Sequence, residues 1–393
     1  MKISLFSGGN ASPHYVLGLT SGLSLTGIKI DFIGSDIFKG AQILNHENIT
    51  FYNLRGDQDP SSPIWIKITR IIKFYYRMMK YAAKTDSEIF HIQWLNKFAL
   101  LDSTLLNIYY RLLGKKLIFT AHNINAGQRD DNDSIMNRLS LKNMYKFVDH
   151  IIVHTEKMKQ QLISEFAVGE HKISVIPHGI LNIAPITNLK KVQAREKFDI
   201  QLQEKILLFF GIIAPYKGLE FLIPAFKILR EKYSDMRLII AGKIENNYPD
   251  YWMKIEELIT ENSLANHIIK KTEFIPDKEV EFYFKSSDIL ILPYKYIFQT
   301  GVLFLSYNFG LPAIVSDVGS LREEVIEGKT GYVFNPEDAT DLANKIDEYF
   351  TSDLYYNLEA NRINIIKFAN DKYSWEKIGE KTVALYMKLT QSK

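Results

Sequence analysis

The sequence predicts an α/β protein of two doubly wound, Rossmann-like domains, and three observations predict it. Short apolar runs alternate with longer amphipathic segments, the pattern of buried parallel strands joined by crossover helices. The alternation comes in two series, divided by a hydrophilic stretch at 181–191 that contains Pro185. At 393 residues the chain is long enough for two separate cores.

In the first series the apolar runs at 2–6, 28–33, 49–52, 89–92, 116–120, 151–153 and 173–176 read as strands. Segments with helical spacing lie between them, at 13–25, 64–84, 100–113, 134–147 and 156–166. The second series opens with a strand at 205–210 and continues at 237–241, 267–271, 289–292, 313–315 and 332–334. A last helical segment, 375–389, has no strand after it. The expected boundaries are a first domain over 1–185, a second over 192–372 and a terminal helix over 373–393. No internal repeat and no low-complexity tract interrupts this order.

Composition narrows the class. Hydrophobic residues make up 46% and charged residues 24% of the chain, as in ordinary globular proteins. A net charge of +3 is too small to argue for nucleic acid. With no cysteine there is neither a disulfide framework nor a thiolate metal site, and a reducing cytoplasm is the simple reading. The first nine residues are too short an apolar run for a secretion signal, and no run of about 18 apolar residues predicts a membrane-spanning helix.

The most informative stretch is 287–331. A buried-strand pattern, Ile289-Leu290-Ile291-Leu292-Pro293, is followed by a turn at Gln299-Thr300-Gly301-Val302, a helix, the break Gly310-Leu311-Pro312 and a second strand. That turn sets backbone N–H groups at the positive end of a helix, which suits a phosphate or a sugar hydroxyl. The block resembles the donor-binding core of family 4 of the retaining GT-B glycosyltransferases, the nucleotide-sugar-dependent group 1 enzymes. Asp317-Val318-Gly319-Ser320 and Gly328-Lys329-Thr330-Gly331 are similar to the family's next block. The resemblance implies the GT-B architecture, two Rossmann-like domains facing across a cleft with the terminal helix crossing back to the first. It implies a sugar donor linked to a nucleoside diphosphate (UDP or GDP) and a saccharide or lipid-linked acceptor in cell-surface polysaccharide or glycolipid assembly.

Site residues carry over one by one. Lys217, followed by Gly218, matches the family lysine that holds the donor diphosphate. The arginine usual nearby is replaced by Ile212, with Arg322 or Lys295 as candidate substitutes. Two glutamates usual around the donor loop fall at Ile297 and Leu305. A Gln-Ser/Thr-Gly-Val variant of the motif occurs in the family. Gln299 or Thr300 would then contact the sugar, with the amides of Thr300, Gly301 and Val302 on the diphosphate. His122, ending the strand at 116–120, matches the family histidine that touches the donor sugar. Gly8 and Gly9 match a glycine pair near donor and acceptor, and His91 is a weaker candidate for the acceptor side. Pro177-His178-Gly179-Ile180 resembles a family turn and reads as structural.

Other features have plainer readings. Asp130-Asp131-Asn132-Asp133 and Asp57-Gln58-Asp59 have spacings that bind divalent cations elsewhere, but they read as caps and turns, so neither metal nor cofactor is expected. The helix at 65–84 carries Lys67, Arg70, Lys73, Arg77, Lys80 and Lys84 opposite an arc of Ile68, Ile71, Ile72, Tyr75 and Met79. It reads as a core-packed helix with a basic face, or as a contact for anionic lipid at the inner face of the cytoplasmic membrane. Two alternatives keep the fold: a nucleotide-sugar hydrolase or epimerase, and a degenerate transferase serving as a partner subunit.

Overall fold

The computed structural model describes all residues except 10–11, 126–132, 181–185, 247, 299 and 392–393. The chain divides into two units: Met1–Gly179 with Tyr373–Lys393, and Ile180–Lys372.

Unit 1 is built on seven parallel strands: β1 (Lys2–Phe6), β2 (Lys29–Gly34), β3 (Ile49–Asn53), β4 (Ile89–Ile92), β5 (Lys116–Thr120), β6 (His150–Val153) and β7 (Ile173–Val175). Their order is β3-β2-β1-β4-β5-β6-β7. Connections leave β1 toward β2 and return to β4 on its other side, so a crevice opens at the carboxyl ends of β1 and β4. Ile3, Leu5, Ile89, Phe90, Leu117 and Ile118 are fully buried, as strands covered on both faces require.

The terminal helix Trp375–Gln391 belongs to this unit because glycines let it come close to α1 (Pro13–Ser24). A Cβ on Gly22 would lie 1.9 Å from the Trp375 carbonyl oxygen, and one on Gly379 would lie 2.2 Å from that of Gly22. Gly18 leaves room for the Trp375 indole, which a Cβ there would meet at 2.1 Å. A side chain at any of the three would push the helices apart.

The helix α2 (Ile64–Lys84) departs from the expected packing. Its buried arc is Phe74, Met78, Tyr81 and Ala82, with Ile71 and Tyr75 half-buried. Ile68, Ile72 and Met79, expected on the packed face, are exposed together with Trp65 and Tyr76. The helix therefore has two apolar stripes, one against the sheet and one outward, at steps of three and four residues. No acidic residue lies between Ile64 and Lys84.

Unit 2 carries six parallel strands, β8 (Lys205–Phe210), β9 (Met236–Ala241), β10 (Ile268–Lys271), β11 (Ile289–Leu292), β12 (Ala313–Ser316) and β13 (Gly331–Phe334), ordered β10-β9-β8-β11-β12-β13. Here the topological switch falls between β8 and β11. A buried pair fastens the opposite end: Arg195 meets Asp288 at 2.9 Å, and Asp288 also accepts the Ile206 N–H at 2.8 Å. With its remaining N–H groups on backbone carbonyls of Gln201, Leu202, Glu204 and Ser286, the buried guanidinium is fully paired. No helix among the described residues is long and apolar enough to cross a membrane.

Candidate functional site

In unit 2 the loops after β8 and β11 meet at the switch point. Gly218 ends a 3-10 turn, Pro215–Lys217, at φ +69°, and a Cβ there would fall 1.9 Å from the Pro293 carbonyl oxygen. Only glycine fits so close a backbone, and the Lys295 N–H donates to the Tyr216 carbonyl at 2.9 Å across the same junction. This seats Lys217 in a buried position, 6% exposed, its ammonium 3.9 Å from the Tyr294 ring centre and 5.2 Å from that of Tyr216. The ring faces offset part of the hydration that the ammonium loses on burial.

Beside it begins the helix Gly301–Asn308. Thr300, 6% exposed, is its N-cap and accepts the Val302 N–H at 3.3 Å, which leaves its O–H to donate. A Cβ on Gly211, at φ +111° after β8, would touch Val302 Cγ2 at 3.4 Å, which brings the end of β8 against the helix start. Gln299 lies outside the described residues.

The replaced family positions have clear physical roles. Ile297 and Leu305 are buried core residues, and Ile212 is about half exposed. Neither candidate substitute for the missing arginine is free: Lys295 pairs with Glu220 at 3.0 Å, and Arg322 with Asp317 at 2.8 Å.

In unit 1, His122 sits just past β5 in a cluster of rings. It stacks on Trp94, centroids 3.8 Å apart and planes 6° from parallel, and Tyr15 meets it edge-on at 4.5 Å. A hydrogen-bonded chain fixes its tautomer. The His154 Nδ1–H donates to the Ile176 carbonyl at 3.0 Å, so His154 Nε2 accepts from His122 Nδ1–H at 3.1 Å. His122 Nε2 is then left with its lone pair, 3.2 Å from the Gln93 amide, whose two ends exchange by a half turn. Burial, followed by the neighbouring His154, His178 and His91, holds the His122 pKa well below the ordinary histidine value. The half-buried ring is a neutral hydrogen-bonding group rather than a proton donor.

His91 does not line an open surface as expected. It is 1% exposed inside β4, with Nδ1 2.6 Å from the Tyr386 hydroxyl and Nε2 2.7 Å from the Thr120 hydroxyl. The strand-end position beside His122 belongs to Gln93 and Trp94, because Ile92 pairs in register with Phe119. Gly8 and Gly9 follow β1, and Gly8 borders a hollow that Trp94 and Asp102 also line. A Cβ on Gly8, at φ +75°, would lie 2.2 Å from the Trp94 carbonyl oxygen, and one on Gly9 would lie 2.9 Å from the Arg55 guanidinium. Gly179 is structural, as expected: a Cβ there would meet the Trp375 ring at 2.5 Å.

The acidic pairs are occupied. Asp57 bonds Arg70 at 2.5 Å, Asp59 accepts from Ser61 at 2.8 Å, and Asp133 pairs with Arg138 at 2.7 Å. Residues 130–132 lie outside the described residues. Among the described residues no three histidines or carboxylates gather as metal ligands would.

Two family models match along the chain. "Glycosyltransferase Family 4" covers residues 14–180, and "Glycosyl transferases group 1" covers 190–367. The chain belongs to the group 1, family 4 glycosyltransferases. Among relatives of this glycosyltransferase is an uncharacterized glycosyltransferase of Methanocaldococcus jannaschii. It is 26% identical over 264 residues, which are 66% of this chain and 65% of that protein. The D-inositol 3-phosphate glycosyltransferase of Corynebacterium glutamicum is 29% identical over 232 residues, 55% of this chain and 53% of the enzyme. The matches thus span less than two thirds of either curated relative. Solved structures share the GT-B fold. Sucrose-phosphate synthase from Thermosynechococcus elongatus superposes with a TM-score of 0.77 at 20% identity over 100% of both chains. Anabaena HepE in complex with UDP gives 0.74 at 15% identity over 99% of this chain and 100% of that one.

Proposed function

We propose that this glycosyltransferase is a retaining, metal-independent enzyme that moves a sugar from a nucleoside-diphosphate donor to a saccharide or lipid-linked acceptor in cell-surface glycan or glycolipid assembly. The observation that carries the reading is the buried Lys217 at the β8–β11 switch point, beside the start of the Gly301–Asn308 helix. A cation and the positive end of a helix on one strand edge suit a diphosphate, both when bound and as it leaves. The HepE neighbours hold UDP or UDP-glucose, which supports the same donor class here. In unit 2 the donor meets backbone more than side chain, since Ile297 and Leu305 are apolar and buried, with the Thr300 hydroxyl left as a donor. In unit 1 the neutral His122 positions the sugar by hydrogen bonding. Front-face attack, with the leaving diphosphate helping to take the acceptor proton, needs no enzyme nucleophile.

The carboxylates that resembled a cation site are held by Arg70, Ser61 and Arg138. Transfer is therefore expected to continue at its full rate in excess EDTA. Complete loss on chelation, restored by magnesium or manganese, would overturn the metal-independent reading.

The outward stripe of α2 supports a reading of peripheral contact with an anionic membrane surface, at the inner face of the cytoplasmic membrane. Trp65, Ile68, Ile72, Tyr76 and Met79 are exposed along a helix with six cations and no acid. Such a helix lies in the interface with its apolar side among acyl chains and its lysines on the headgroups. Vesicles carrying phosphatidylserine should bind the protein at low salt and release much of it at high salt, because screening weakens the surface attraction. Replacing Trp65 and Ile72 together by serine should reduce binding at both. Equal failure of the native protein to bind neutral and anionic vesicles at low salt would leave α2 as a solvated helix.

A further inference from the structure

The hydrogen bonds that fix His122 do not end at that ring. They continue through Gln93 and His91 to Tyr386 of the terminal helix, wholly within unit 1. Tyr386, Gln93, His91, Thr120 and His154 are each at most 2% exposed, so they have one another and not water to satisfy them. His122, half-buried, is the member of the chain that comes nearest the surface.

The hydrogens of this chain have one consistent arrangement. The Ile176 carbonyl only accepts, so His154 carries its hydrogen on Nδ1, and His122 carries its own on Nδ1 to meet the bare His154 Nε2. A second hydrogen on His122 Nε2 would make the ring a cation, which burial opposes. The end of the Gln93 amide that lies 3.2 Å from this bare nitrogen is therefore the NH2, and its carbonyl oxygen faces His91. A carbonyl needs a hydrogen opposite it. His91 Nε2 supplies one, lying 2.9 Å from the Gln93 amide and 2.7 Å from the Thr120 hydroxyl oxygen. His91 Nδ1 is then bare, and the Tyr386 hydroxyl donates to it at 2.6 Å.

Every hydrogen thus points the same way, from Tyr386 through His91, Gln93, His122 and His154 to the Ile176 carbonyl. Hydrogen bonds that run head to tail strengthen one another, and turning one member round sets lone pair against lone pair. The link between Gln93 and His122 is the longest of the chain, and it ends on the half-buried ring. A ligand O–H can enter there and take the lone pair.

We infer that Tyr386 and Gln93 are positioning residues of the transferase: from the terminal helix inward they hold His122 as a hydrogen-bond acceptor, its Nε2 lone pair available to a sugar hydroxyl. This rests on the proposed function only in naming the sugar as what His122 meets. It also narrows that contact, because a ring bare at Nε2 takes a hydroxyl and repels a carboxylate or an acetamido carbonyl at the same place.

The full chain, carrying isotope-labelled histidine, is tested at neutral pH by long-range proton–nitrogen correlation, which shows which ring nitrogen bears the hydrogen. The native spectrum should show His122 and His154 with hydrogen on Nδ1 and His91 with hydrogen on Nε2. Tyr386→Phe removes a single oxygen. It should leave His91 as a mixture of both forms and move the His122 Nε2 signal, three links away along the chain. Turnover is read as nucleoside diphosphate released from UDP-glucose or GDP-mannose. For Tyr386→Phe, kcat should fall about tenfold with KM changed less than about twofold, the size of one misplaced hydrogen bond. Gln93→Met fills the same space and cuts the chain, so adding Tyr386→Phe to it should change kcat by less than about twofold and leave the His122 signal where it was. A packing role alone predicts the same loss from Tyr386→Phe in both backgrounds. That result, or hydrogen on Nε2 of His122 in the native protein, overturns the inference. If Gln93→Met does not fold, or neither donor is cleaved, the spectra of the native chain and of Tyr386→Phe decide alone. Full turnover by His122→Ala beside the expected spectra would remove the proposed sugar contact and with it the positioning role. Hydrogen on His122 Nε2 beside a loss of turnover in His122→Ala would remove the ordered chain and leave the sugar contact standing.

Discussion

Lys217→Met is expected to lower turnover by roughly 100-fold or more while leaving the protein folded, because charge stabilisation of a leaving diphosphate has effects of this size. Methionine keeps most of the length and apolar stem that pack on Tyr294 and removes only the ammonium. The comparison matters because Lys217 is buried, and a buried lysine on a tyrosine ring has a packing role as well. If packing were its whole contribution, Lys217→Met would keep native turnover and Lys217→Ala would lose thermal stability without a specific loss in kcat. If the charge acts on the diphosphate, both variants lose kcat and Lys217→Arg recovers part of it. Gly218 sets the position of the group: its φ of +69°, and a Pro293 carbonyl oxygen that would lie 1.9 Å from any Cβ there, exclude a side chain at this turn. Steady-state kinetics with a melting curve for each variant separates the cases. Native turnover by Lys217→Met would put the ammonium outside the chemistry.

The fold was legible because fully buried parallel strands are apolar runs, and those runs fall on the strands with shifts of one or two residues at their ends. Ile289–Leu292 and Lys116–Thr120 fall where the runs alone place them. The turn at Lys217–Gly218 was legible for a different reason, since its glycine answers a backbone need that local sequence expresses. What could not be read is pairing in space. His91 and His122 look alike as histidines near strand ends, but His91 lies within β4 and under Tyr386 of the terminal helix, nearly three hundred residues away. The neighbours that fix His122 are Trp94 and His154, one from an adjacent strand end and one from just past β6. The register of β4 against β5 was the signal for Trp94, and it becomes visible only with the sheet order. In α2 the period was right and the face was wrong. Apolar residues on two stripes give one period and no indication of which stripe meets the sheet, until Phe74, Met78 and Tyr81 are seen against it. The neighbours of the glycine pair were hidden for the same reason: a Cβ on Gly8 would meet Trp94 and one on Gly9 would meet Arg55, and local sequence names neither.

Stability is expected to fall steeply as the pH drops from 7 to 5, and the cause is the ring cluster around His122. Burial lowers the pKa of His91 and His154 to about 3 and that of His178 to about 4, and it holds His122 well below its ordinary value. The tautomer chain explains part of why protonation is unwelcome: a proton on His154 Nε2 would remove the lone pair that accepts from His122 Nδ1–H. In the unfolded chain these histidines take up protons near pH 6.5, while in the folded chain they stay neutral until about pH 3 to 4. The unfolded state therefore binds more protons below pH 6.5. The stabilisation is complete above that value and is lost progressively as the pH falls toward the folded pKa values. Each fully buried histidine gives up about 2 kcal/mol by pH 5, so several together remove a large part of the margin of an ordinary domain. Melting curves at half-unit steps should show unit 1 losing stability over this range, with a limiting slope of about 1.4 kcal/mol per pH unit for each histidine. His91→Gln, which keeps a hydrogen-bonding amide between Tyr386 and Thr120, should lower stability at pH 7.5 and reduce the slope by about one proton. Over the same range the catalytic rate of the still-folded enzyme should show no titration from His122, since that ring is neutral throughout. A melting temperature that stays level from pH 7.5 to 5 would mean that the cluster opens to water, and that His122 is free to act as an acid after all.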